Sequence, residues 1–395
     1  MVLIISAVFP PEPVVSAQIS NDLADALSVK YEVVVICPWP TRPSGTVYNI
    51  GDNDKRPFTK IILKSHTHSG SSLIKRMIES ISFGLVSRKF IKEHKKAISI
   101  IYANTWPLFA QLSVARTCRK YDIPLLLHVQ DIYPETLTYR LGPTVVLVKK
   151  LLLMIDQYVL RRSDTVVAIG HRMAEFLSST RGINMNKIAV IYNWQDETKF
   201  SDINNIAHKK EKFTLMYLGS LSPSANIEAV IEAFGDARLR DSTLVIAGSG
   251  NSKEACIKAS SLYPNANIRF VDAPSDKVPE LLASADVLVL PLKKGVGKYS
   301  IPSKLAGYML SSKPVLAFID TESDASDIIR NAECGWIVPS GNIQTLTLKM
   351  QEIRSLPETS LTVPGQSGRA YALKHLSKAV NLEKLADLVK NNAKQ

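Results

Sequence analysis

Cysteine is scarce in this chain, and the four that occur, Cys37, Cys118, Cys256 and Cys334, lie too far apart to form a CxxC pair. That excludes the common zinc-binding spacings and gives no disulfide framework, so a reduced, cytoplasmic setting is expected. Long uncharged apolar runs are missing too. The longest candidate, Val145 to Leu160, is broken by Lys149, Lys150 and Asp156, whereas a membrane-spanning helix needs about 20 residues with few charges. Met1 to Phe9 has no basic segment and runs straight into Pro10-Pro11, which reads as a first core strand and not as a secretion signal. Aromatic residues make up only 7%, and no zinc finger, RNP signature or basic tail accompanies them, so nucleic acid is not the expected partner. No GxxxxGKS or GxxxxGKT occurs, which excludes a P-loop.

Positive charge is what the chain has in excess: 48 Lys and Arg against 36 Asp and Glu, a formal +12 over 395 residues. The partner this implies is an anion, either a phosphorylated small molecule or an acidic membrane surface. The length suggests two or three domains.

Strands and helices alternate through both halves, which predicts an α/β protein of two Rossmann-like domains facing a cleft. The first would cover residues 1–200, with strands at Val2 to Phe9, Glu32 to Cys37, Ile98 to Ala103 and Pro124 to Val129. The polar, aperiodic stretch Ser201 to Glu211 reads as a linker. The second domain would cover 212–365, and 366–395 would supply closing helices, with Ser367 to Lys374 as a candidate for crossing back to the first domain.

Two helical segments are strongly basic. Residues 74–96 carry seven Lys or Arg against two Glu, interleaved with Ile74, Met77, Ile78, Ile81 and Leu85, and residues 145–162 repeat the pattern with Lys149, Lys150, Arg161 and Arg162. Such segments either lie in the interface of an anionic membrane or are core helices with a solvated basic face. Asp52-Asn53-Asp54 has the DxD spacing of metal-dependent sugar transferases, but it stands in a polar stretch and not at the end of an apolar strand. His66 and His68 read as members of a solvated Ser/Gly-rich loop.

Three turns in the second half each follow an expected strand: Gly219-Ser220, Gly248-Ser249-Gly250, and Gly295 to Ser303. Glycine lets backbone N–H groups approach a ligand closely. With Lys298, Ser300, Ser303 and Lys304 these turns form a candidate diphosphate cradle. Pro302 or Ser303 would open a helix whose N-terminus adds positive potential, and Leu305, Tyr308 and Met309 would be its buried stripe.

These pieces together resemble the GT-B glycosyltransferases of family 4, especially the branch that builds bacterial O-antigen and capsule. The matching segments are Phe9-Pro10-Pro11-Glu12, His128 to Glu135, Tyr192-Asn193-Trp194, Tyr217 to Leu221, Ala285 to Leu292, Ile301 to Lys304 and Lys313-Pro314-Val315, in the family's order along nearly the whole chain. The resemblance implies a first domain for the acceptor and a second for a nucleoside-diphosphate sugar, uridine-linked, with no metal required. It places Gly219, Ser220, Ser303 and Lys304 at the diphosphate, Gly248 and Ser249 near the base or ribose, and His128 at the transferred sugar. Asp131 would orient an acceptor hydroxyl or cap a turn, and Glu12, Val14 and Ser16 belong to the acceptor-side loop.

The family's outcome is retention of the anomeric configuration. The acceptor it implies is lipid-linked or a surface polysaccharide, met at the inner face of the cytoplasmic membrane. The chain departs from the family at several positions. Gly307 stands where a ribose-binding glutamate is frequent, Ser220 where arginine is frequent, Asn226 near the usual place of a lysine, Val14 and Val15 where glycines pair, and Ser312 where a helix-ending glycine is usual. An inactive homologue that binds a nucleotide-sugar or a partner transferase is the competing reading. A nucleotide-sugar 2-epimerase is a weaker one, since no paired acid and base groups are evident.

Overall fold

The computed structural model describes residues 1–42, 46, 48, 56–70, 72–104, 107–133, 135, 146–202, 212–297 and 301–394. The chain divides into two units, one comprising 1–193 with 381–395 and the other 194–380. Each is a parallel sheet flanked by helices, the α/β architecture expected from alternation of the two element types.

In the first unit the order is β1 (Val2–Ser6), α1 (Val15–Ser28), β2 (Val33–Cys37), β3 (Thr59–Ile62), α2 (Leu73–His94), β4 (Ile100–Asn104), α3 (Leu108–Tyr121), β5 (Leu125–Val129), α4 (Val146–Arg162), β6 (Thr165–Ala168), α5 (His171–Arg181) and β7 (Ile188–Val190). The sheet runs β3-β2-β1-β4-β5-β6-β7. β1, β2 and β4 are buried at every position, because continuous β-branched runs suit strands covered on both faces. β3, whose Thr59 is exposed, closes one edge.

In the second unit the order is β8 (Phe213–Leu218), α6 (Ile227–Ala237), β9 (Ser242–Ala247), α7 (Lys253–Ser260), β10 (Ile268–Val271), α8 (Val278–Ala283), β11 (Val287–Pro291), α9 (Lys304–Leu310), β12 (Val315–Ile319), α10 (Asp324–Asn331), β13 (Gly335–Pro339), α11 (Ile343–Ser355), α12 (Thr359–His375) and α13 (Lys378–Asn392). Its sheet runs β10-β9-β8-β11-β12-β13. In both sheets the order reverses beside the first strand, between β1 and β4 and between β8 and β11. In open parallel sheets the carboxyl ends of the strands at such a point are where ligands bind.

The boundary falls seven residues earlier than the polar stretch suggested. Trp194 to Phe200 group with the second unit because Phe200 is buried, its carbonyl accepts from Arg369 Nη2 at 3.0 Å, and Glu197 takes the N–H of Lys378 at 2.8 Å. Likewise 366–380 stay with the second unit, and only 381–395 join the first.

Ser312 adopts φ +58 after α9, the left-handed cap that glycine fills more readily. Replacing it by glycine should stabilise the chain by about 1 kcal/mol, since a side chain in that conformation is strained by roughly that amount. A rise in the midpoint of chemical unfolding would register it, and an unchanged midpoint would count against the strain.

Candidate active site

In the second unit the switch point is built by three glycines that let loops and a lysine touch. A Cβ on Gly248, at φ +129, would stand 2.2 Å from Gly219 O, and one on Gly250, at φ +154, would stand 2.3 Å from Leu221 O. The two loops are stitched by Gly219 N to Ala247 O and Leu221 N to Ser249 O, each 2.9 Å. The loop after β11 is tied in turn by Gly295 N, which donates to Asp320 Oδ2 at 2.7 Å.

Gly219, at φ +150, is needed for a different reason: a Cβ there would meet Lys304 Cε at 1.8 Å. The Lys304 stem therefore lies across Gly219, and its Nζ sits 5.3 Å from the centroid of the Tyr217 ring. Burial lowers the Lys304 pKa, and the ammonium has no carboxylate partner among the described residues. A half-buried cation supported among the described residues by a ring face can hold an anion.

Two tyrosines hold this arrangement. Tyr217 Oη donates to Ser220 O at 2.6 Å. Tyr308, fully buried, accepts from Leu218 N at 2.9 Å and donates to Leu218 O at 3.0 Å, so it pins the end of β8 where the strand gives way to Gly219. The sequence showed Tyr308 only as part of an apolar stripe; its hydroxyl in that stripe was the available signal.

The expected helix N-terminal contribution is smaller than supposed. α9 has only seven residues, and Ser303 makes no side-chain cap bond and is exposed. Positive charge at this point comes from Lys304 itself. Ser220 and Ser249 are exposed beside it. Lys298, Ser300 and the DxD at Asp52 to Asp54 lie outside the described residues. Gly307 is buried, and a Cβ there would face Phe200 Cζ at 3.7 Å and Leu282 Cδ1 at 4.0 Å.

In the first unit His128 closes β5 in a polar pocket of about 120 Å³ shared with Gln130, Asp131, Tyr133 and Asp156. It is buried and both ring nitrogens are engaged. Gln130 Oε1 accepts from Asn193 Nδ2 at 2.7 Å, so the Gln130 amide donates to His128 Nε2 at 3.1 Å. The proton is thereby assigned to Nδ1, which donates to Tyr102 Oη at 2.7 Å. Burial lowers the His128 pKa to about 3, and the ring is neutral at physiological pH. Asp131 is solvent-exposed as a residue, and partial desolvation of its carboxyl raises its pKa.

The segment after His128 is anchored by a residue that sequence reading missed. Arg181, 1% exposed, ends α5 and spends all five N–H donors. Nε donates to Asp156 Oδ2 at 2.7 Å, Nη1 to Glu135 Oε1 and Thr180 Oγ1 at 3.0 Å each, and Nη2 to Glu135 Oε2 at 2.6 Å and to Tyr133 O. The bidentate grip on Glu135 is the geometry in which arginine surpasses lysine. Burial pushes the Asp156 carboxyl up to about 6 even against Arg181.

The loop after β1, expected on the acceptor side, is shaped from within. Glu12, 5% exposed, turns inward: its carboxylate accepts from the N–H groups of Thr41 and Arg42 at 2.9 Å each and of Phe9 at 3.3 Å. Val14 is the half-buried residue preceding α1. Ser16 is buried, and its carbonyl accepts from Asn104 Nδ2 at 2.8 Å, so this pair ties α1 to the end of β4.

Two sequence profiles divide the chain between them: one described as Glycosyltransferase Family 4 matches residues 18–199, and one described as Glycosyl transferases group 1 matches 198–370. The chain belongs to the family 4 glycosyltransferases of GT-B fold. A probable glycosyltransferase, WbjE of Pseudomonas aeruginosa, is 26% identical over 278 residues, 67% of this chain and 68% of that protein. Among solved structures, HepE of Anabaena in complex with UDP and glucose is similar with a TM-score of 0.71 at 15% identity, over 98% of this chain and 99% of that one. Sucrose-phosphate synthase of Thermosynechococcus elongatus is similar with a TM-score of 0.77 at 14% identity, over 99% and 98%. In this glycosyltransferase the cation at the second unit's switch point and the histidine at the end of β5 are the two features on which a functional reading turns.

Proposed function

We propose that this glycosyltransferase moves a hexosyl group from a UDP-sugar to a lipid-linked or surface-polysaccharide acceptor, with retention of anomeric configuration and without a metal ion. The observation that carries the reading is Lys304 lying across Gly219 without an anionic partner among the described residues. Breaking the glycosidic bond leaves negative charge on the departing diphosphate, and a cation already fixed beside it stabilises that charge without reorganising. The N–H groups of Gly219 and Gly248 are spent on Ala247 O and Val271 O, so further donors come from the exposed Ser220 and Ser249. HepE, which shares the fold, is described in complex with UDP and glucose, and this supports uridine as the base. The departing diphosphate would help to take the acceptor's proton, so no protein base is required, in keeping with a His128 whose Nε2 is already engaged by Gln130.

For the acceptor side, no helix among the described residues is long and apolar enough to cross a membrane, but α2 and α4 expose apolar side chains beside lysines: Ile74, Ile78, Ile81 and Leu85 on one, Leu147, Leu151 and Met154 on the other. This supports peripheral attachment to an anionic membrane surface, the cytoplasmic face being the one with access to nucleotide-sugars. A second reading, donor binding without transfer, is favoured by Gly307, which supplies no carboxylate for a ribose.

A thermal-shift screen of UDP, GDP, TDP and CMP in the presence of EDTA tests the donor site. UDP at about 100 times its dissociation constant should add about 2.7 kcal/mol of stability, with smaller shifts from the others. A shift with GDP alone would correct the base, and no shift with any of them would overturn the donor site. Release of UDP from UDP-glucose would then separate turnover from binding without transfer.

A further inference from the structure

α2 is built inside out. Its buried residues are Glu79, which pairs with Arg76 at 2.8 Å, and Ser80, Phe83, Gly84, Ser87 and Ile91, half of them small, while Ile74, Ile78, Ile81, Leu85, Arg88 and Lys92 are exposed at spacings of four and three that align them along one face. The small residues serve close packing. A Cβ on Gly84 would stand 2.8 Å from Ala110 Cα, Ser113 Oγ donates to Gly84 O at 2.9 Å, and Ser80 Oγ accepts from Phe109 N and Ala110 N at 3.1 Å each. These contacts pair residue 80 with 109 and 84 with 113, so α2 and α3 run parallel.

Both helices therefore change character in the same direction. Between them lies a groove of about 400 Å³ lined towards their N-terminal ends by Ile81 and Leu85, and towards their C-terminal ends by Arg88, Lys92, Arg116 and Lys120. Among the described residues no carboxylate lines it. Lys120 and Lys92 fall in the last helical turns, where a cation suits the helix dipole, but Arg88 and Arg116 lie before those turns and have no such explanation. An apolar half continuous with a four-cation half is the shape and charge complement of an amphiphile with an anionic head.

We propose that this groove binds one anionic phospholipid of a bilayer surface, its phosphate among Arg88, Lys92, Arg116 and Lys120 and its chains along Ile81 and Leu85. The site rests on the membrane-attachment part of the proposed function and is independent of sugar transfer. It differs from diffuse adsorption in depending on where the cations stand and not only on how many there are.

Sedimentation with phosphatidylglycerol and phosphatidylcholine vesicles tests it, comparing the full chain with two variants of equal charge change. Arg116→Glu with Lys120→Glu alters the groove; Arg240→Glu with Arg269→Glu alters exposed positions of the second unit. The full chain should prefer phosphatidylglycerol, the groove variant should lose binding by about tenfold or more, and the other variant should lose much less. Unchanged thermal unfolding of both variants guards against misfolding, and Arg116→Gln with Lys120→Gln gives the same comparison should charge reversal impair folding. Equal losses in the two variants would overturn the site while leaving membrane attachment standing. No binding to phosphatidylglycerol by the full chain would overturn both.

Discussion

Arg181→Met should destabilise the first unit by about 3–5 kcal/mol, the range seen when one partner of a buried charge cluster is removed and the other is left behind. The substitution keeps much of the side-chain volume but deletes five hydrogen bonds and the guanidinium charge that faces Asp156 and Glu135. The loss should depend on pH. In the wild type, Asp156 is held at about 6, above its usual 3.8, so its own contribution to stability is fully present below pH 3.8 and is lost as pH rises through 6. His128, held at about 3, runs the other way: its contribution is present above pH 6.5 and is lost as pH falls towards 3. Without Arg181 the Asp156 carboxyl would bind its proton more tightly still, so the variant should recover stability on acidification relative to the wild type. Urea unfolding at pH 8 and pH 5.5 would show a larger difference between the two proteins at pH 8. An equal difference at both would mean that packing, and not charge, is what Arg181 supplies.

Arg181 also marks the limit of what was legible in the chain. Its partners stand 25 and 46 residues away, and nothing local distinguishes a buried arginine at a helix end from a solvated one. Glu12 is the same case, a loop carboxylate whose donors, the N–H groups of Thr41 and Arg42, arrive from 29 and 30 residues on. Continuous apolar runs, by contrast, announce central parallel strands without any partner, which is why β1 and β2 were readable, although β1 ends at Ser6 and not at Phe9. The strand β3 was not, because its four residues TKII alternate too briefly for a period to show, and Pro364 inside α12 masked that helix. Ser312 was marked only by the resemblance, as the place of a helix-ending glycine, and its φ of +58 is that left-handed cap.

α2 failed to resolve from sequence for an instructive reason. Both of its readings, a core helix with a basic face and an interfacial helix, require the same composition, and they differ only in which stripe is buried. The buried stripe proved to be the one with small residues, a choice made by the approach of α3 at Gly84 and not by hydrophobicity. A helix that buries serine and glycine while exposing isoleucine is ordered by contact geometry, and its apolar face is left for another partner.

Lys304→Ala should lower sugar transfer by at least about tenfold, since a charge-assisted bond to a developing anion contributes roughly 2–4 kcal/mol, and should abolish most of the UDP thermal shift. The substitution removes the stem that crosses Gly219 as well as the charge. A second variant therefore isolates the charge: Lys304→Met keeps the stem over Gly219 and Tyr217. If the ammonium is what the donor meets, Met and Ala should be equally impaired, while thermal unfolding of the free Met variant should match or exceed the wild type, because a half-buried cation is costly without its ligand. The lowered pKa of Lys304 in the free protein gives a further signature, for a bound diphosphate would raise it again and draw a proton from solution above neutral pH. Proton uptake on adding UDP, measured in buffers of different ionisation heat and absent in Lys304→Met, would tie that proton to this one group. A Met variant that binds and turns over the donor as the wild type does would remove Lys304 from the site, and with it the observation on which the donor assignment stands.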